Sequence, residues 1–273
     1  LVTTYASLLT GHAQRLDSEA TARTRRAVRS DERGPFAYLD TASSRAGVAH
    51  LSERLAGGSV GILGLGGTGS HVLDLVAKTP VEAIHLYDHD FFLQHNAFRA
   101  PGAASVDDLT ARRSKVDHFA QIYSRLHRGV FPHRVRLDTS NLHLLDRSDF
   151  LFICVDDAAT RRLAAVYLES GGRSFIDVGL GLQLSGTGVF GLARVTLSTP
   201  GARRPEHRCA QKALDVADPY RTNVQVADLN ALNAALAVIR WKRLRGFYAG
   251  GRGEGLSVYS IESNDIVNED RRP

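Results

Sequence analysis

The sequence is poor in sulfur-containing residues and in long apolar runs. Of its 273 residues none is Met, two are Cys and one is Trp. Two cysteines, Cys154 and Cys209, cannot build a disulfide framework, and without a CxxC pair no structural zinc is expected. No segment approaches the roughly 18 uninterrupted apolar residues of a membrane helix. These absences exclude a disulfide-stapled scaffold and a transmembrane protein.

The first residues and the charge distribution narrow the class further. Residues 1–19 lack the basic start and the apolar core of a signal peptide, so we predict a cytoplasmic protein. A chain without any Met that begins at Leu1 predicts a piece of something longer. The net charge is +5, but the basic residues are spread along the chain, which makes nucleic-acid binding an unfavoured prediction.

Apolar runs and helical periodicity alternate along most of the chain. Residues 1–50 are polar and predict an amino-terminal arm or linker, whereas residues 51–273 predict one α/β domain. Strands are predicted at SVGILG, AIHLYD, GVFPHRV and DFLFICV, with one helix over residues 106–126. TGVFGLARVTL predicts a long antiparallel strand, and residues 224–245 predict a helix capped by Gly246. The fold class is a Rossmann-like, doubly wound, mostly parallel sheet extended by antiparallel strands.

A glycine-rich turn between the first strand and the next helix is the first sign of chemistry. It reads GLGGTGS and contains Gly64, Gly66, Gly67 and Gly69. Bare backbone at the amino end of a helix suits a phosphate group, so a nucleotide is the natural ligand. Asp88 follows at the spacing with which dinucleotide enzymes hold a ribose hydroxyl. At this point NAD and ATP remain equally good readings.

The polar residues after the second strand favour ATP. Asp88, Asp90, Asn96 and Arg99 share one loop, DHDFFLQHNAFR, and Lys115 begins a later helical segment. A hydride-transferring enzyme needs none of these cations, whereas an enzyme that cleaves ATP uses carboxylates for ribose and Mg²⁺ and cations for phosphate charge. Asp156 and Asp157 follow the strand DFLFICV at its carboxyl end, where ligands bind in open α/β sheets, and Asp156 is the predicted metal ligand.

These motifs, in this order, resemble the ThiF, MoeB and HesA family and the adenylation domains of ubiquitin-activating enzymes. The resemblance implies an adenylyltransferase that uses ATP and Mg²⁺ to activate the C-terminal glycine of a ubiquitin-like or sulfur-carrier protein. It implies that Gly67 lines the phosphate turn, that Asp88 holds the ribose and that Asp156 binds Mg²⁺. It also implies phosphate contacts from a set of three residues: Asn96, Arg99 and Lys115.

Further expectations come from the family pattern. Arg45 resembles an Arg that reaches the partner subunit's site in a homodimer, and Cys209 lies in the predicted crossover loop, residues 198–223, as an acceptor nucleophile. The zinc-binding cysteine pairs of many relatives are missing, so no zinc is expected. DTASSRAGVAHL and FLQHNAFRAPG resemble bacterial proteins in which a ubiquitin-conjugating-like domain precedes the activating domain.

Three alternatives stay open at the level of sequence. An NAD-dependent oxidoreductase shares the glycines and Asp88. A related adenylyltransferase acting on a small molecule or on RNA keeps every motif. A non-catalytic dimeric scaffold would bind ATP poorly, and the intact acidic and basic motifs argue against it.

Overall fold

A single eight-stranded sheet forms the centre of the molecule. The computed structural model of the protein describes residues 1–22, 27–30, 34–186, 188–203, 224–250 and 255–269. The strands are β1 Ser59–Leu63, β2 Ala83–Asp88, β3 Val130–Arg134, β4 Phe150–Ile153, β5 Ser174–Ser185, β6 Gly188–Ser198, β7 Leu256–Ser260 and β8 Asp265–Glu269.

The strand order is β3-β2-β1-β4-β5-β6-β7-β8. Strands β1 to β5 pair in parallel. Strands β6, β7 and β8 continue the sheet in the antiparallel sense. The predicted Rossmann-like sheet with an antiparallel extension is confirmed, while β8 pairs with β7 at an edge that the sequence did not predict.

Nine α-helices occur within the described ranges, and several of them pack on the two faces of the parallel part of the sheet. They are α1 Val2–Ala13, α2 Thr41–Arg45, α3 Ala49–Ser52, α4 Gly67–Val76, α5 Gln94–Ala97, α6 Val106–Thr110, α7 Lys115–Tyr123, α8 Ala158–Ser170 and α9 Ala227–Leu244. Short 3₁₀ helices span Glu53–Leu55 and Leu142–Arg147. No helix within the described ranges is both long and apolar enough to cross a membrane.

Alternating side chains of the central strands divide the core into two clusters. Ile62, Phe152 and Ile176 face α4, α7 and α9, where Trp241 is 2% exposed. Their neighbours Leu63, Ile153 and Phe175 belong to the second cluster, together with Ala165 and Leu168 of α8. Such strands are buried on both faces, which explains why they read as continuous apolar runs.

The single helix predicted over residues 106–126 is wrong, because two helices occupy this stretch. Arg112 adopts a left-handed conformation (φ 45°), which a continuous right-handed helix cannot contain. Ser114 then caps the next helix by accepting a hydrogen bond from Asp117 N–H at 3.2 Å. The break makes Lys115 the first residue of α7.

The end of α9 agrees with its predicted cap. Gly246 follows the helix in a left-handed conformation (φ 77°), and its N–H donates to the carbonyl of Arg243 at 2.9 Å. A glycine ends a helix in this way because it has no Cβ to strain the backbone.

Residues 35–37 of the predicted amino-terminal arm contact residues 126–128 of the domain. Helix α1 contributes no buried residue. Farther along, the N–H of Ala37 donates to the carbonyl of Leu126 at 2.8 Å, and the ring of Phe36 packs edge-on against buried His127. The division into an arm, residues 1–50, and a domain, residues 51–273, stays a prediction.

Candidate active site

The carboxyl ends of three neighbouring strands bring the predicted motifs to one edge of the sheet. Leu63, the last residue of β1, pairs with Tyr87 on β2 and with Ile153 on β4. The next residues along the chain are Gly64, Asp88 and Cys154, so they leave the sheet side by side. Open α/β sheets bind ligands at such an edge.

The glycines of the turn after β1 serve different purposes. Gly64 has a φ of +90°, a conformation that L side chains rarely adopt, and a Cβ on Gly69 would lie 1.8 Å from the carbonyl oxygen of Gly64. A Cβ on Gly67 would meet the side chain of Asn230 on α9. Around Gly66, by contrast, a Cβ would meet no atom within 4 Å. Gly66 is therefore the glycine whose bare backbone faces open space.

Asp88 ties this turn to the end of β2. One carboxylate oxygen accepts a hydrogen bond from Leu65 N–H at 2.7 Å, and the other accepts from Asp90 N–H at 2.9 Å. The residue is 9% exposed. Each oxygen has a second lone pair, so the carboxylate can still accept a ligand hydroxyl while it holds the turn.

Lys115 lies beside the carboxylates of Asp88 and Asp90. Its Nζ lies 2.7 Å from Asp90 Oδ2 and 3.7 Å from Asp88 Oδ2, and its side chain is only 9% exposed. Burial would raise the pKa of the Asp90 carboxyl, but the hydrogen bond and charge of Lys115, with the charges of His89 and Arg136, hold it below its ordinary value. The backbone N–H of Lys115 also donates to the carbonyl of Asp90 at 2.9 Å.

Asn96 and Arg99 lie on and just after α5. The Oδ1 of Asn96 accepts a hydrogen bond from Leu93 N–H at 2.9 Å, which starts the helix. Within the described ranges, the buried Nδ2 of Asn96 and Nε of Arg99 have no hydrogen-bond partner. Unpaired buried donors are uncommon, which makes both atoms candidates for binding an acceptor of a ligand.

The end of β4 adds carboxylates and one thiol. Asp156 is exposed, and Asp157 caps α8 by accepting a hydrogen bond from Thr160 N–H at 2.7 Å. A hydrogen bond from the Thr160 side chain, followed by the one from its backbone, lowers the pKa of the Asp157 carboxyl. Burial raises the pKa of the Cys154 thiol to about 12. Cys154 is therefore a protonated, unreactive thiol at neutral pH.

These residues surround a cavity of about 210 Å³. The predicted residues that line it are Gly64, Gly66, Gly67, Asp88, Asp90, Arg99, Lys115 and Asp156. Among predicted residues that the structure describes, Gly69, Asn96 and Arg45 do not line it. Arg45 ends α2 as an exposed residue. Cys209 and most of the predicted crossover loop lie outside the described residues.

The model of the ThiF family matches residues 41–239, which is well over half of the chain. The chain belongs to the ThiF family. No curated protein sequence matches it significantly.

Solved structures share the fold of this ThiF-family chain. Escherichia coli MccB with ATP has a TM-score of 0.66 at 18% identity, covering 81% of this chain and 65% of MccB. The microcin C7 biosynthetic enzyme MccB in complex with N-formylated MccA has a TM-score of 0.61 at 17% identity, covering 81% and 66%. Selenomethionine PaaA has a TM-score of 0.61 at 17% identity, covering 81% and 75%. The chain thus spans just under two thirds of MccB, and the likeness concerns the fold.

Several residues that line the 210 Å³ cavity of this ThiF-family chain were not predicted from the sequence. Arg136 follows β3, and its positive charge contributes to the lowered pKa of both Asp90 and Asp157. Gln225 precedes α9, and within the described part of the chain its buried Oε1 has no hydrogen-bond partner. Neither residue belongs to a local motif, so only the register of the strands and the return of α9 reveal them.

A larger cavity of about 740 Å³ adjoins the smaller one. Both cavities are lined by a shared set: Thr68, Cys154, Val155, Asp156 and Gln225. The larger one lies against β5, β6 and β7, where Leu180, Phe190 and Leu192 give it apolar walls. A ligand that fills the larger cavity would therefore reach the wall of the smaller one at Asp156.

Proposed function

We propose that this ThiF-family chain is an adenylyltransferase that uses ATP to activate the carboxyl end of a polypeptide. The observation that carries the proposal is the smaller cavity, in which the open backbone at Gly66 faces the same space as two carboxylates and the cation of Lys115. A triphosphate with its magnesium needs this combination of bare amides, oxygen ligands and positive charge. Family membership supports the same reading.

The reaction is a single displacement at phosphorus. An oxygen of the substrate carboxylate forms a bond to the α-phosphorus of ATP, the bond between that phosphorus and the α–β bridging oxygen breaks, and pyrophosphate leaves with both bonding electrons. The carboxylate is already ionised at neutral pH, so no side-chain base has to remove a proton. Catalysis then depends on alignment of the two reactants and on stabilisation of phosphate charge.

The residues of the cavity divide these tasks in the proposal. Asp88 accepts a ribose hydroxyl through the lone pairs that Leu65 and Asp90 leave available. Lys115 and Arg99 stabilise the charge that develops on the phosphates, and the Nδ2 of Asn96 donates to a phosphate oxygen if the loop adjusts on binding. Hydrogen bonds to ionised groups are shorter and stronger than neutral ones, which suits cations to this role.

The donor set at the wall between the cavities fits Mg²⁺. Magnesium prefers carboxylate oxygens and keeps several waters, so one or two Asp residues with the ATP phosphates suffice. Asp88 and Asp90 lie beside Lys115, which leaves Asp156 as the proposed ligand. The ion would neutralise phosphate charge when bound.

The substrate we propose is the C-terminal glycine of a ubiquitin-like or sulfur-carrier protein. The larger cavity supports a polypeptide tail, because it adjoins the nucleotide cavity at Asp156 and extends over three strands. MccB, which shares the fold, has been solved with MccA in a selenomethionine form, so its partner is a polypeptide.

Two further features belong to the same proposal. A homodimer in which Arg45 reaches the partner subunit's site would complete the phosphate contacts, and exposed Ile239 on α9 supports an additional contact surface. After adenylation, Cys209 would accept the activated acyl group as a thioester, with release of AMP. A Cys209→Ser variant should then form the adenylate but no thioester, which mass spectrometry under non-reducing conditions distinguishes.

The central test measures exchange of labelled pyrophosphate into ATP with small carrier proteins encoded beside the gene. We expect exchange that depends on the carrier and a carrier that gains the mass of AMP at its C-terminus. Asp156→Ala should abolish the exchange, while Asp107→Ala, which removes an exposed acid of α6 outside both cavities, should retain it. Unchanged exchange in Asp156→Ala would remove Asp156 from the site. NADH binding without ATP binding would replace the proposal with hydride transfer.

A further inference from the structure

The floor of the larger cavity is a sheet surface on which glycines leave some positions without a side chain. Gly179 and Gly181 of β5 pair with Arg194 and Leu192 of β6. A Cβ on Gly179 would approach Nη2 of Arg194 to 3.1 Å, so the glycine makes room for the guanidinium to lie across β5. The cavity floor therefore presents a charged group where its neighbours are glycine or apolar residues.

Arg194 reaches a buried carboxylate that it shares with a second arginine. Its Nη2 donates to Asp177 Oδ2 at 2.8 Å, and Arg161 of α8 donates to the other oxygen of Asp177. The side chain of Asp177 is 1% exposed, whereas those of Arg161 and Arg194 are 11% and 18% exposed. Two guanidinium groups share one carboxylate, so within this cluster the positive charges exceed the negative ones by one.

The two arginines differ in how fully their donors are used. Arg161 also donates to the carbonyls of Val155 and Val178, so it ties α8 to the strand ends. Arg194 adds only a 3.3 Å hydrogen bond to Thr196 Oγ1. Among the described residues, two of its five N–H donors are thus engaged. Arg194 keeps donors for a ligand, and Arg161 keeps Asp177 paired.

We propose that Arg194 binds the carboxylate of an acidic side chain near the reacting end of the polypeptide substrate. This inference rests on the proposed function and specifies its substrate as a tail whose acidic side chain enters the larger cavity, while the terminal carboxylate stays free to attack ATP. Arg194 would hold that group at the cavity floor, so that the chain end reaches Asp156 at the wall shared with the nucleotide cavity. Glu262 and Asp156 at the rim repel a carboxylate elsewhere in the cavity and so favour this one position.

The probes are three short peptides that differ in whether and where they carry a carboxylate. N-acetyl-glutamylglycinamide carries it on a side chain, N-acetyl-glutaminylglycinamide is the matching neutral amide, and N-acetyl-glycylglycine carries it only at the C-terminus. Binding to the intact protein, saturated with Mg²⁺ and a non-hydrolysable ATP analogue, is measured by peptide-observed NMR titration. We expect N-acetyl-glutamylglycinamide to bind at least about tenfold more tightly than its neutral amide, as one charge-assisted hydrogen bond in a sheltered site implies. A preference for N-acetyl-glycylglycine alone would place the chain end at Arg194 and would overturn the inference.

Three variants separate binding from folding. Arg194→Gln should lose the preference for the acid, while its affinity for the neutral amide should stay the same. A structural defect would instead weaken the binding of both peptides. Arg194→Lys retains a charge for Asp177 and should recover part of the preference. Arg162→Gln removes an equal charge from an exposed position of α8 and should behave as the wild type. An acid preference that persists in Arg194→Gln, or that is absent from the wild type, overturns the inference.

The proposed function is tested separately in the same samples. Affinity for the Mg²⁺-bound ATP analogue should be unchanged in Arg194→Gln, because Arg194 does not line the smaller cavity. If the wild type fails to bind the analogue, the proposed function fails. The peptides alone then decide whether Arg194 binds a carboxylate.

Discussion

A Cβ atom on Gly67 would lie 2.2 Å from Nδ2 of Asn230, although real Cβ atoms essentially never approach another atom within 3.0 Å. The amide of Asn230 packs on the first turn of α4 and accepts a hydrogen bond from Thr68 Oγ1 at 2.8 Å. Asn230 is 1% exposed. Packing of α9 therefore favours a glycine at position 67, independently of any ligand.

Gly67→Ala should lower the free energy of unfolding by about 1–3 kcal/mol, the usual cost of overpacking a buried contact. Adding Asn230→Ala should restore part of this loss, because it removes the side chain that the new methyl group meets. Gly66→Ala is the matched control and should weaken nucleotide binding without lowering stability. Urea unfolding and nucleotide titration of the four proteins make the comparison. Equal destabilisation at positions 66 and 67 would contradict it.

Lys115→Met should slow adenylate formation by on the order of 10²-fold, because it removes a cation from the phosphate region while preserving most of the side-chain volume. Asp88 and Asp90 would also lose their positive partner and repel the triphosphate. The rate of AMP transfer to the carrier is the measurement. Arg113→Met removes a more exposed cation that pairs with Asp108 and should keep the wild-type rate. Equal rates in both variants would exclude Lys115 from catalysis.

Cys154 should resist alkylation in the folded protein. Burial raises the pKa of its thiol to about 12, so the reactive thiolate is scarce at pH 8, whereas an unfolded cysteine titrates near its ordinary value. Iodoacetamide labelling with peptide mass spectrometry should therefore modify Cys154 in urea but not in native buffer. Cys154→Ala should retain adenylation. Rapid native labelling would show that the strand end is open.

Acid should destabilise the protein through His85. Burial, followed by the charges of His133 and Arg147, lowers the pKa of His85 to about 4, below its ordinary 6.5. The unfolded chain therefore binds this proton more readily, and stability falls as the pH drops from about 6.5 towards 4. Thermal unfolding at pH 7 and pH 5 should show a smaller loss in His85→Gln than in the wild type. If His85→Gln loses as much stability between pH 7 and pH 5 as the wild type, other groups cause the loss.

The pH dependence of stability is not expected to vanish altogether in His85→Gln. Burial also lowers the pKa of His71, His118, His127 and His133. Each of these side chains contributes in the same direction, since each is more easily protonated in the unfolded chain. His133→Gln should reduce the slope as well, because the two rings of His85 and His133 lie in hydrogen-bond contact at 3.0 Å.

The predictable part of the fold comes from strands whose burial leaves a continuous apolar signal. SVGILG, AIHLYD and DFLFICV each became a parallel strand, and Gly246 capped the last predicted helix. The break at Arg112 was not predictable from apolar spacing, because both flanking segments keep helical periodicity. A left-handed residue carries no hydrophobic signature, and neither does the cap at Ser114.

The sequence by itself determined which residue types are available for chemistry and the order in which they leave the sheet. Glycines after one strand and acids after two others predict a nucleotide site where parallel strands end together. Only the tertiary structure decided that Arg136 and Gln225 line the cavity and that Asn230 holds the glycine turn. It also decided that Arg194 shares Asp177 with Arg161. These contacts join residues distant along the chain, and strand register and helix packing set them rather than any local pattern.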